Sequence, residues 1–228
     1  MENLTDIKVI KDIFERHGFS FSKALGQNFL VNPTVCPRIA EMGGAAPGTG
    51  IIEIGTGVGV LTHELAKRAD KVVAIEIDER LIPILEETLA EHKNVKVINA
   101  DVMKIDLAEV IKENFEGMKV AVCANLPYYI TSPIIMMLLE GGLPIDESVI
   151  MIQKEVAQRL AAAPGPKEYG AISVAVNFYS VPQLITKVPR SSFIPQPKVE
   201  SAVISLKMRE KPAVDVSDAK RSFTVVKA

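Results

Sequence analysis

The chain has 228 residues, with 26 basic and 28 acidic side chains and a net charge of −2. Hydrophobic residues make up 48% and charged residues 24%, a balance that excludes disorder for most of the chain. No apolar run reaches bilayer-spanning length, the charged start MENLTDIKVIKD carries no apolar signal region, and Cys36 and Cys123 are too few for a disulfide scaffold, so the sequence reads as a cytoplasmic chain with reduced thiols.

Ile7, Ile10, Ile13 and Phe14 recur at helical spacing and predict an amphipathic helix. A polar and aromatic stretch without clear period follows. Asn32-Pro33 then reads as an N-cap with proline at the first helical position, opening a helix through about Met42 that Gly43-Gly44 ends. From residue 51 strands and helices alternate. Residues 51–54, 72–75, 95–98, 119–123 and 149–152 read as strands. Helices are expected through Leu65, after Asp78 with Leu81, Leu85 and Leu89, before residue 119, over 134–139, and from Lys154 to about Ala161. Such alternation implies a mostly parallel sheet with helices on both faces. Residues 171–179 and 201–208 are expected to pair antiparallel as the last two strands, with the proline-rich VPRSSFIPQPKVE between them as a stiff loop. The tail DVSDAKRSFTVVKA predicts a short capped helix.

The segment Glu53-Ile54-Gly55-Thr56-Gly57-Val58-Gly59 joins a strand to a helix. Its glycines permit a sharp turn and close approach of a ligand to the backbone. A dinucleotide fingerprint needs glycine at position 60, where Val60 stands, and Glu53 would repel a pyrophosphate. Both points favour S-adenosylmethionine (SAM), which has no phosphate and carries a cationic amino-acid end. Glu76 at the next strand end can accept hydrogen bonds from ribose hydroxyls, and Asp101 after the third strand can accept from an adenine amino group. Three such features at successive strand ends lie where open α/β sheets bind ligands.

Asn125-Leu126-Pro127-Tyr128-Tyr129 follows the fourth strand. An amine on an aromatic ring is a poor nucleophile because its lone pair is delocalised. The Asn125 side-chain oxygen and the Leu126 carbonyl can accept both of its N–H bonds and turn the lone pair toward a methyl donor. Pro127 stiffens the turn, and Tyr128 can stack on the base. No strong general base is required, since the methylated cationic amine loses its proton to water.

These motifs, with LGQNFLVNP (25–33), EID (76–78), NADVMKID (99–106), MIQKEVAQRL (151–160), KEYGAISV (167–174) and FIPQPKVESAV (193–203), resemble the ribosomal RNA adenine N6,N6-dimethyltransferases of the kasugamycin-sensitivity type. The resemblance runs from about Lys23 to Met208. It implies a Rossmann-like class I SAM-dependent methyltransferase: an α/β fold with a mostly parallel seven-stranded sheet, a C-terminal antiparallel strand, and helices on both faces. The methyltransferase domain would occupy residues 1–210, with residues 211–228 starting a truncated helical domain. Gln27, Asn28 and Leu30 would contact the methionine end of SAM, with Gly55 and Gly57 beneath it. Ile77 would lie against the adenine and Val102 beside Asp101 at its edge. Asn125 would bridge cofactor and target amine, and Phe193 would flank the target base with Tyr128. Lys154 and Arg159, with Lys167, Arg190 and Lys198, are candidates for an RNA grip within a nearly neutral whole. The family often has proline after the first loop glycine; here it is Thr56.

The implied partner is small-subunit rRNA within a pre-ribosomal particle, methylated at two adjacent adenines of a hairpin loop. A monomer acting without metal or membrane is expected. The alternatives are a large-subunit methyltransferase of the macrolide-resistance type and an assembly factor in which binding is the main role. The intact Gln27, Glu76, Asp101 and Asn125 argue for activity.

Overall fold

The computed structural model describes residues 3–22 and 25–214. Helix α1 (Ile7–Arg16) is capped by the Asp6 carboxylate, which accepts from the Lys8 N–H at 2.8 Å. It buries Ile10, Ile13 and Phe14 but leaves Ile7 exposed, so the expected apolar stripe is one residue shorter. A two-residue strand, β1 (Phe29–Leu30), precedes α2 (Val35–Met42). Asn32 does not cap this helix directly. Its Oδ1 accepts from the Thr34 N–H and hydroxyl, closing a turn of its own, and the helix starts after Thr34.

The alternation continues as β2 (Thr49–Ile54), α3 (Val60–Ala66), β3 (Lys71–Glu76), a 3-10 turn (Glu79–Leu81) running into α4 (Ile82–Thr88), β4 (Val95–Asn99) and α5 (Leu107–Asn114). Then come β5 (Lys119–Asn125), α6 (Thr131–Glu140), β6 (Glu147–Gln153), α7 (Lys154–Leu160), α8 (Ala171–Tyr179), β7 (Ser180–Val188), β8 (Phe193–Ile194) and β9 (Ser201–Met208). The seven-stranded sheet has the order β4-β3-β2-β5-β6-β9-β7. Strand β9 runs antiparallel to both of its neighbours, while β2 to β6 are mutually parallel. Strand order reverses at β2, flanked by β3 and β5, so the C-terminal ends of these three strands open onto one crevice.

Neighbouring strand residues face opposite cores, which is why these strands read as unbroken apolar runs. Ile51 and Val72 pack with Ile10, Ile39, Leu65 and Ile84 on the α1–α4 side. Ile52 and Val73 pack with Ile111, Ile135, Leu138 and Val176 on the α5–α8 side. Among the described residues no helix is long and apolar enough to cross a membrane.

Residues 171–179 form helix α8 and not the expected strand. An apolar run of nine residues carries no period that separates a strand from a buried helix. The Ser173 hydroxyl decides locally, accepting from the Gly170 N–H at 3.1 Å and starting the helix. The outer antiparallel partner of β9 is instead β7, in which Pro182 is tolerated because the strand lies at the sheet edge. The proline-rich loop is not wholly irregular, since β8 pairs antiparallel with β1, Leu30 opposite Phe193. The predicted tail helix lies outside the described residues, as does most of the expected second domain.

Candidate active site

The glycine loop leaves β2 in left-handed backbone. Gly55, Gly57 and Gly59 have φ of +77°, +58° and +88°, a region that L side chains rarely adopt. The Gly55 N–H donates to the Ile75 carbonyl at 2.9 Å, tying the loop to β3. Glu76 then closes it. One carboxylate oxygen accepts from the Thr56 hydroxyl and the Gly57 N–H, both at 3.1 Å; the other accepts from the Asp78 N–H at 3.0 Å. Burial pushes the Glu76 pKa up, against the pull of these three donors. A carboxylate has roughly four acceptor sites, so one remains for a ligand. The Thr56 hydroxyl, on a rotatable side chain, is the donor most easily displaced to free another.

Glu53 is fully buried on β2 and lines the same cavity. Neither of its carboxyl oxygens has a hydrogen-bond partner among the described residues. Burial pushes its pKa up to about 8; Thr62 beside it opposes the shift and the charge of Glu76 adds to it. An orphaned buried carboxyl is costly unless something supplies a partner, and a cationic ligand group is the partner that fits.

Gln27 lines the cavity, but both ends of its amide are engaged. Its Oε1 accepts from the Ser22 N–H at 2.8 Å, and its Nε2 donates to Asp78 Oδ2 at 2.7 Å. Asp78 is also gripped by the Arg80 guanidinium at 2.8 and 2.7 Å, and that guanidinium lies 5.1 Å from the Phe19 ring centre. Burial disfavours the Asp78 carboxylate, but the bonds from Arg80 and Gln27 outweigh it and hold its pKa below the ordinary value. The sequence places Asp78 just before a helix, and it caps that start by accepting from the Arg80 N–H at 3.2 Å. Its second role spans 51 residues and leaves no local signal.

Asn28, Leu30, Ile77, Asp101 and Val102 line the cavity as well. Asp101 accepts from the Met103 N–H at 3.0 Å and pairs with Lys104 at 3.5 Å. On the far wall, the Leu126 N–H donates to the Met151 carbonyl at 3.1 Å, and the Pro127 carbonyl accepts from the Ile130 N–H and the Thr131 hydroxyl. These bonds fix the turn while leaving the Asn125 amide and the Leu126 carbonyl turned to no partner among the described residues. Tyr128 is half-buried, its hydroxyl 2.8 Å from that of Ser201. Phe193, held by β8, is buried at the cavity wall.

Lys154 and Arg159 do not line the cavity. The Lys154 ammonium sits 2.6 Å from the Glu200 carboxylate, and Arg159 is exposed on α7. Lys167, Arg190 and Lys198 are exposed. The cavity residues that sequence reading missed include Tyr129 at the mouth and Phe29 beneath Gly57.

Comparison with known proteins gives a consistent set of relatives. Residues 18–228 match the family described as ribosomal RNA adenine dimethylase. The chain is 53% identical over 229 residues to the ribosomal RNA small subunit methyltransferase A of Bacillus mycoides (strain KBAB4), covering all of this chain and 78% of that protein. Among solved structures, a 23S rRNA methyltransferase, ErmE, is 31% identical with a TM-score of 0.74, over 88% of this chain and 78% of that one. A dimethyladenosine transferase from Plasmodium falciparum is 31% identical with a TM-score of 0.70, over 80% of this chain and 64% of that one.

Proposed function

The chain belongs to the ribosomal RNA adenine dimethylase family, and we propose that it dimethylates the N6 amines of two adjacent adenines in small-subunit rRNA, with SAM as methyl donor. The observation that carries this reading is the convergence of the glycine loop, the orphaned Glu53 and the 125–128 turn on one cavity. When bound, SAM supplies a methyl group activated on a sulfonium.

The chain's own residues do the rest. Glu53 pairs with the cationic amino-acid end, and Gly55 and Gly57 let it approach the backbone. Asn28 and Leu30 close over that end, and Gln27 holds their segment against Asp78. Glu76 takes the ribose, and Ile77, Asp101 and Val102 hold the cofactor's adenine. The Asn125 side-chain oxygen and the Leu126 carbonyl accept the two N–H bonds of the target amine and aim its lone pair. Tyr128 and Phe193 flank the extruded base, which must leave its stack to reach them. Catalysis rests on positioning and fixed dipoles. The enzyme works as a cytoplasmic monomer on a pre-ribosomal particle, with Lys154 and Arg159 near the RNA backbone.

The small-subunit reading is favoured over the large-subunit one by 53% identity to a small-subunit methyltransferase against 31% to ErmE. The test is incubation with SAM and either undermethylated small subunits or large-subunit rRNA, followed by quantifying N6,N6-dimethyladenosine by mass spectrometry. Product from small subunits alone is expected. Product from large-subunit rRNA alone would overturn the substrate assignment.

A further inference from the structure

Four described aromatic side chains line the cavity: Phe29, Tyr128, Tyr129 and Phe193. Three belong inside it. Phe29 and Phe193 are buried, and the Tyr128 ring is half-buried with its hydroxyl tied to Ser201. Tyr129 differs, with 58% of its surface exposed at the mouth. Its ring is nevertheless supported: one edge rests over Gly26, 3.5 Å from where a Cβ there would stand, and Pro127 lies against the same point. Gly26 has φ +60° and no side chain of its own at this edge. A large aromatic that is braced on one edge and open to solvent is a surface on which a second flat group can stack.

The neighbouring ring sets what that group is. Tyr128 and Tyr129 are consecutive and both line the cavity, the first half-buried and the second exposed. An RNA strand entering the cavity by one base carries the next base past the rim. We infer that Tyr129 is a stacking platform for the base of the nucleotide adjoining the target adenine. The inference rests on the rRNA reading above and extends it by a second subsite. Stacking accepts any base, because every base has a π face. Where the two target adenines are adjacent, the platform holds one while the other is methylated, and the two exchange places between rounds.

The test compares wild type, Tyr129→Ala and Tyr129→Phe on two substrates: undermethylated small subunits, and subunits reconstituted with an abasic nucleotide beside the target adenine. SAM affinity is measured by calorimetry in parallel. Tyr129→Ala is expected to lower kcat/KM on the intact substrate by about 5- to 150-fold, the range for one lost base–aromatic stack. Tyr129→Phe should stay within about twofold, and SAM affinity should be unchanged. On the abasic substrate wild type should fall by a similar factor, with no further loss in Tyr129→Ala. Independent losses from the abasic site and the Ala substitution would overturn the platform, as would equal loss of SAM affinity or an Ala variant as active as wild type. If wild type forms no N6,N6-dimethyladenosine on intact subunits, the rRNA reading itself fails and takes the platform with it.

Discussion

Glu53→Gln separates the role of the orphaned carboxyl from the rest of the cavity. With a pKa of about 8, the group is about nine-tenths protonated at pH 7. A cation arriving beside it favours the ionised form, so SAM binding should expel about 0.9 proton from Glu53 at that pH. Calorimetric titrations at pH 7 in two buffers of different ionisation enthalpy read this directly. The cofactor's own amine is already mostly protonated at pH 7, so its further proton uptake beside Glu53 lowers the difference by only about 0.1–0.2. We predict that Glu53→Gln binds SAM more weakly and releases about 0.7–0.8 fewer protons per site. Equal release by the folded variant and wild type would refute the pairing. Stability should move the other way. The folded state holds the Glu53 proton where the unfolded chain, with a value near 4.5, has released it. This contribution is therefore fully present below about pH 4.5, is lost as pH rises to about 8, and is flat above that. Without cofactor, Glu53→Gln should melt higher than wild type at pH 8. A gain of 1 kcal/mol is worth about 2–4 °C in a domain this size. Melting temperatures with the same pH dependence in both proteins would contradict the buried, neutral carboxyl.

Two further substitutions probe the loop. Glu76→Ala strips the acceptor from the Thr56 hydroxyl and from the Gly57 and Asp78 N–H groups, at a cost of about 1–3 kcal/mol for each donor left buried and unpaired. We predict lower stability and at least about tenfold weaker SAM binding by calorimetry; unchanged affinity would remove the ribose role. Gly57→Ala forces a side chain into φ +58° with its Cβ 3.1 Å from the Phe29 ring, whereas Gly44→Ala, at φ +71° with nothing within 4 Å, meets only the backbone cost of about 1–2 kcal/mol. The Gly57 variant should therefore melt lower than the Gly44 variant, and equal melting temperatures would show that the Phe29 contact gives way freely.

Much of the architecture was legible because parallel strands buried on both faces read as short apolar runs between turn residues. The same property hid α8: residues 171–179 are apolar on nearly every side, and only the Ser173 bond to Gly170 marks a helix start. Strand β7 escaped because Pro182 and its polar neighbours suit an edge, where one side of the ladder faces solvent. In the site, Glu76 and Asn125 stood at strand ends where chemistry could be read from residue type. The Gln27–Asp78 bond joins residues far apart in sequence, so no local pattern announces it. The sequence singles out Tyr128 for stacking and gives Tyr129 no role; only the fold, which half-buries one ring and exposes the other, sets Tyr129 apart.

In the reaction proposed above, the 125–128 turn presents a target amine to a methyl donor held by the glycine loop. Asn125→Ala, assayed in a single turnover with saturating SAM and undermethylated small subunits, isolates that step. We expect a folded variant whose N6,N6-dimethyladenosine formation is slower by at least about a hundredfold, the scale of losing one preorganised polar group. Turnover near that of wild type would rule out the role of Asn125 in presenting the amine.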